Sequence, residues 1–127
     1  MTPHSHSTSH SRVDDTRERL GLLAAHTRSQ IRGWTALSDI LRCPLILTPA
    51  SRREAAALAS EAITVLRAMA SCVKDARRCY RRRRYGRCLR ALDRFERLRR
   101  VLEPIGGLVA RALLKSASEG RHDGHCG

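Results

Sequence analysis

Residues 51–103 read SRREAAALASEAITVLRAMASCVKDARRCYRRRRYGRCLRALDRFERLRRVLE, and the phase of the apolar residues within them decides the fold. Ser51 followed three residues later by Glu54 has the spacing of a capping box, and the Ala-rich run after it has high helix propensity. Leu58, Ala62, Val65, Met69, Cys72, Ala76 and Cys79 recur at 4-3-4-3-4-3 spacing, with Leu66, Val73 and Tyr80 widening the same face. At about 100° per residue these form one apolar arc, and Arg67, Lys74, Arg78 and Arg81 lie opposite. From about Arg87 to Glu103 the design repeats. Cys88, Leu89, Leu92, Phe95 and Leu102 share one face, while Arg87, Arg90, Arg94 and Arg97 share the reverse one at 3-4-3 spacing. No proline interrupts Arg52 to Glu103, so a single helix of about 76 Å is formally possible. Carrying the phase forward, however, sets the second arc about 140° from the first, and a straight helix would bury opposite sides in its two halves. A break between Tyr80 and Arg87 resolves the conflict, with Gly86 expected to supply the left-handed position beyond the helix end. The two segments then fold back as an antiparallel hairpin, apolar faces together and basic faces outward.

Working outward, a first helix is expected from Asp14 or Asp15, where Asp15 and Glu18 have capping-box spacing, with Leu20, Leu23, Ile31, Trp34, Leu37 and Leu41 at helical intervals. Cys43-Pro44 ends it, and Pro44 and Pro49 forbid a continuous helix through the apolar connector 45–48. A fourth short helix is expected from Pro104 through Ile105, Leu108, Val109, Ala112 and Leu113. Residues 1–13, rich in His and Ser, and 119–127, rich in Gly, read as disordered tails. The fold class is all-α: a small helical bundle built on a long antiparallel hairpin, one domain over 14–118, with helices at about 14–42, 52–82, 87–103 and 105–117.

Size and charge narrow the function. The 127 residues are one domain's worth of chain, with 42% hydrophobic residues to build a core but only four aromatics, Trp34, Tyr80, Tyr85 and Phe95. Leu and Ala must supply most of that core. The net charge is +13, carried by 23 Arg and only 2 Lys. Solubility alone needs no such bias, whereas a planar guanidinium forks onto phosphate. No stretch reaches about 18 uninterrupted apolar residues, and the N-terminal segment lacks the apolar run of a signal peptide. An intracellular location is expected, in the cytoplasm, the nucleus or the nucleolus. The five cysteines include no C-x-x-C pair, so neither a disulfide framework nor a zinc finger is indicated.

Lys74 to Arg100 holds 13 cations and three acids, Asp75, Asp93 and Glu96. A plain solvated helix face interleaves acids to relieve repulsion, so this density points to a polyanion. The candidate nucleic-acid-binding residues are Arg67, Lys74, Arg77, Arg78, Arg81, Arg82, Arg83, Arg84, Arg87, Arg90, Arg94 and Arg97. The run Arg81–Arg84 also has the composition of a nuclear import signal. No helix-turn-helix, zinc-finger or basic-zipper pattern appears, and three of the four aromatics are assigned to core faces rather than to base stacking. Backbone recognition of a duplex by shape remains. Parallel arginine stripes suit an A-form helix, so duplex RNA is favoured over DNA. The small size, lone helical domain and Arg-striped hairpin of residues 51–103 resemble the general plan of the small helical RNA-silencing suppressors of nodaviruses. That resemblance implies a dimer on duplex RNA. It brings no diagnostic motif, and no residue role is transferred from it.

A homodimer is expected independently, because the Leu and Ala faces exceed what one thin hairpin covers, with Trp34 and the 45–48 connector as a seam. The competing reading is a regulatory adaptor that binds a host protein, with the arginine run read by an import receptor. A membrane surface is disfavoured, since few aromatics border the basic face. Cys72, Cys79 and Cys88 read as buried thiols. His122, His125 and Cys126, and His4, His6 and His10, fall in tails that hold no metal geometry, so no metal or cofactor is expected. No Gly-rich phosphate loop, His-Glu-x-x-His or nucleophile elbow is present, and a non-catalytic protein is expected.

Overall fold

The computed structural model describes residues 3–43 and 48–126, with side chains described over 15–43 and 48–118. These residues form three helices and no strand: α1 (Pro3–Leu41), α2 (Pro49–Arg81) and α3 (Tyr85–Cys126). The protein is an all-α bundle in which α2 is central and packs against both α1 and α3. Leu20 of α1 meets Ala76, Cys88 and Ala91 at the end of the bundle holding the α2–α3 turn. Leu41 meets Ala55, Ala59 and Ala112 at the other end, so the helices run up, down and up.

The expected hairpin is present, and its seam follows a heptad rhythm. On α3 the buried positions Cys88, Ala91, Phe95, Leu102, Ile105, Val109 and Ala112, with half-buried Leu98, step by threes and fours. The 58-62-65-69-72-76-79 series of α2 mirrors them about the turn, matching Ala76 with Ala91 and Cys72 with Phe95 in the manner of a coiled-coil seam. Leu66 and Val73, which widen that arc, are the most enclosed large residues of α2 at 0% and 1% exposure, because they face α1 as well. Burying each such side chain contributes about 1.5–3 kcal/mol. α2 is the one described helix long and apolar enough, by length and composition, to cross a membrane. One-third of that apolar stretch is buried within the bundle.

Several boundaries differ from expectation. The third and fourth helices are one: α3 runs through Pro104, which leaves a single carbonyl without its intrahelical donor. The apolar rhythm carries from Leu98 through Leu102 and Ile105 to Val109 without a phase change, so packing on α2 outweighs the local breaker. α1 starts at Pro3, not at Asp15, whose carboxylate instead pairs with Arg19 at 3.2 Å. The helical backbone thus enters both segments assigned to tails, while the buried core spans Leu20 to Ser116. The cap of α2 is Thr48 rather than Ser51: its hydroxyl accepts from the Ser51 N–H at 3.4 Å, and Pro49 occupies the first turn. The Thr48 N–H in turn donates to the buried Ser116 hydroxyl at 3.1 Å, tying the start of α2 to α3. Leu89, assigned above to the core, is 66% exposed, since it lies on the outer side of the 88-91-95 seam. Residues 44–47, most of the connector proposed as a dimer seam, lie outside the described residues.

The α2–α3 turn closes differently from the glycine-based expectation. Arg83, not Gly86, takes the left-handed conformation, at φ 59°. The Arg83 N–H donates to the Tyr80 carbonyl at 3.0 Å and the Arg84 N–H to the Cys79 carbonyl at 2.8 Å, the two bonds of a Schellman cap. Gly86 lies inside the first turn of α3. The Tyr80 and Tyr85 rings meet edge-on across the turn, with centroids 5.6 Å apart. This reverses the chain within three residues and crowds the arginines flanking the turn onto one end of the bundle.

Candidate nucleic-acid interface

Helix phase divides the twelve expected site residues into a crest, one cleft on either flank of α2, and a tip. Arg67, Lys74 and Arg78 lie with Ser71 at 4-3-4 spacing along the outer crest of α2, and all four are exposed. Arg82, Arg83 and Arg84 are exposed at the tip formed by the turn.

The first cleft opens between α2 and α3. It has a volume of about 440 Å³ and is lined by Arg78, Arg87, Arg90, Arg94 and Arg97 with Asp75, over Cys79 and Ala91. On α3 these arginines flank the packed seam instead of pointing directly away from it, as the reverse-face reading had placed them. They reach over the joint with α2. Asp75 holds Arg78 at 2.7 Å and Asp93 holds Arg97 at 2.9 Å. Arg87, Arg90 and Arg94, between those two ion pairs, carry no carboxylate partner among the described residues. Their spacings of three and four residues set them about 4.5 and 6 Å apart along the axis.

The second cleft lies on the opposite flank, between α1 and α2, with a volume of about 310 Å³. Arg28, Lys74, Arg77 and Arg81 surround Ala24 and Ala70, and among the described residues no acid lines it. Arg17 continues this basic surface beside Arg77 and Arg81. Arg17 and Arg28 were not among the expected residues. Their eleven-residue separation returns to the same flank of α1, but only the packing of α1 on α2 brings that flank beside Arg77 and Arg81.

The acids of this region relieve little of the charge. Asp75, Asp93 and Glu96 each hold one neighbouring arginine, and among the described residues the other ten of the thirteen cations between Lys74 and Arg100 have no carboxylate in ion-pair range. The hydrogen bond from Arg99 holds the Glu96 carboxyl below its ordinary range, helped by the charges of Arg99 and Arg100. These pairs are exposed and contribute little to stability.

Behind the first cleft stand two thiols. Cys79 is half-buried and lines the cleft, while Cys88 is buried within the same small cluster. Burial pushes the Cys88 thiol up, and the neighbouring Cys79 adds to the shift. Among the described residues no group of three His, Cys, Asp or Glu side chains could hold a metal ion. The His-bearing termini lie outside the residues whose side chains are described. A further groove, between α1 and α3, is floored by Met69 and Phe95 and flanked by Trp34. The chain matches no protein-family model, no curated protein and no solved structure.

Proposed function

We propose that this is a non-catalytic nucleic-acid-binding protein that holds the backbone of duplex RNA, with little sequence specificity, at the arginine-lined end of the bundle. The observation that carries the reading is the first cleft, where Arg87, Arg90 and Arg94 stand in a row without acid partners. Guanidinium groups in such a row fork onto successive phosphates, and each contact releases condensed counterions. Nothing at this end offers a base-reading device. Among the described residues no aromatic side chain lines either cleft; Tyr80, beside Arg17, Arg77 and Arg81, has its ring against Tyr85, and Phe95 is buried in the core. Recognition then rests on charge and shape, and coating of duplex RNA to withhold it from processing enzymes, in the manner of a viral silencing suppressor, is the role consistent with it.

The test is fluorescence anisotropy with labelled duplex RNA across a salt series, comparing the wild type with a variant carrying Arg87→Ala, Arg90→Ala, Arg94→Ala and Arg97→Ala. The wild type is expected to lose about 10³- to 10⁵-fold in affinity between 50 and 200 mM salt, and the variant to show a flatter slope by about 3 to 4. An unchanged slope refutes the assignment. One observation favours a second reading: the exposed run Arg82–Arg84 at the tip suits an import receptor, as in a nuclear adaptor. Nuclease-treated pull-downs that retain a protein partner through this tip would favour that adaptor.

A further inference from the structure

We infer that the two basic clefts on the flanks of α2 hold the two strands bordering one groove of the same duplex, with the crest of α2 seated in that groove. The inference rests on the duplex-binding reading above and adds to it the second cleft, the contribution of α1 and the mode of docking.

Three observations converge. Both clefts lie beside the C-terminal half of α2, so they address a ligand from the same end of the bundle. Among the described residues the second is lined by four cations and no acid, around Ala24 and Ala70, whose short side chains leave room for a phosphate to approach. Between the clefts the crest is also basic, through Arg67, Lys74 and Arg78.

Size then selects the ligand. Packed helices lie about 8–10 Å apart, so grooves on either side of one helix are separated by about 10 Å. A single strand has one row of phosphates and fills one cleft. Two rows at that separation border the wider groove of a duplex. The crest rises above its flanking clefts by a helix radius, about 5 Å. A crest this low needs no deep groove, and the wide, shallow minor groove of A-form RNA accommodates it, with Ser71 facing the row of 2′-hydroxyls.

The experiment uses two double variants in the full chain, Arg90→Ala with Arg94→Ala in the first cleft and Arg28→Ala with Arg77→Ala in the second, and the quadruple combination. All four side chains are exposed, and circular dichroism verifies that the helices persist. Salt-dependent anisotropy is measured with a short duplex RNA and with single-stranded RNA of equal length. On the duplex, each double variant is expected to lower the salt slope by about 1.8, and the quadruple by about twice that. On the single strand, either double variant is expected to leave the slope nearly unchanged, because the strand moves to the intact cleft, and only the quadruple lowers it. If the second-cleft variant leaves the duplex slope at its wild-type value while the first-cleft variant lowers it, the two-cleft mode is wrong and the simpler reading survives. Equal effects of the double variants on duplex and single strand also overturn it. Absence of wild-type binding to either RNA overturns the underlying reading as well.

Discussion

At the level of single residues, Arg83 shows local geometry set by the turn rather than by residue preference. An L-residue at φ 59° carries a cost of about 1–2 kcal/mol that glycine does not. Arg83→Gly is therefore expected to stabilise the protein by about 1 kcal/mol, less whatever the greater freedom of glycine in the unfolded chain removes. A shifted denaturation midpoint checks it, and a destabilised variant would contradict the Schellman geometry. Cys88 supplies a pH dependence. Its thiol is raised in the folded state by burial and by Cys79, so its contribution is fully present below the ordinary thiol range and is lost as pH rises through the raised value. Urea titrations above about pH 8.5 are expected to show the wild type losing stability with rising pH, and Cys88→Ala to flatten that decline. The left-handed residue was not legible beforehand, because Gly86 is the favoured residue by composition, and only the bonds from Arg83 and Arg84 to the Tyr80 and Cys79 carbonyls show where α2 stops.

At the level of elements, the α2–α3 hairpin was legible because the apolar arc changes phase between Tyr80 and Arg87, so that no single straight helix buries both halves. The continuity of α3 was not. Pro104 with Gly106 and Gly107 is a strong local stop signal, and its defeat depends on α2 lying beneath Leu102, Ile105 and Val109. The cap at Thr48 was likewise hidden, since its bond to Ser51 and its tie to Ser116 exist only in the folded bundle. The packing makes a matched pair of predictions. Leu66→Ala, at a site enclosed by both neighbouring helices, is expected to cost about 2–5 kcal/mol, whereas Leu89→Ala on the outer face changes stability by no more than about 0.5 kcal/mol. A Cβ added at Gly106 meets nothing within 4 Å, so Gly106→Ala is expected to stabilise α3 by about 0.8–1 kcal/mol. Thermal or chemical denaturation of the three variants checks their order, and a loss of stability in Gly106→Ala would argue for a helix break near Pro104.

For the whole molecule, the bundle gathers cations from all three helices at one end and leaves most of them without acids. The charge run of α2 and α3 was readable in the sequence, and the structure divides it between two flanks of α2. The contributions of Arg17 and Arg28 were not readable, because they depend on how α1 docks. A net charge of +13 concentrated in this way opposes its own compaction and favours any ligand that neutralises it. Charge alone would bind every nucleic acid alike, whereas the docking mode proposed above, with one strand in each cleft, adds a dependence on groove shape. The most direct measurement is therefore anisotropy of the wild type with duplex RNA, duplex DNA and single-stranded RNA of equal length through a salt series that includes physiological ionic strength. Duplex RNA is expected to stay bound at salt that releases the other two. Equal affinities, lost together as salt rises, would contradict recognition by shape and leave only a charged face.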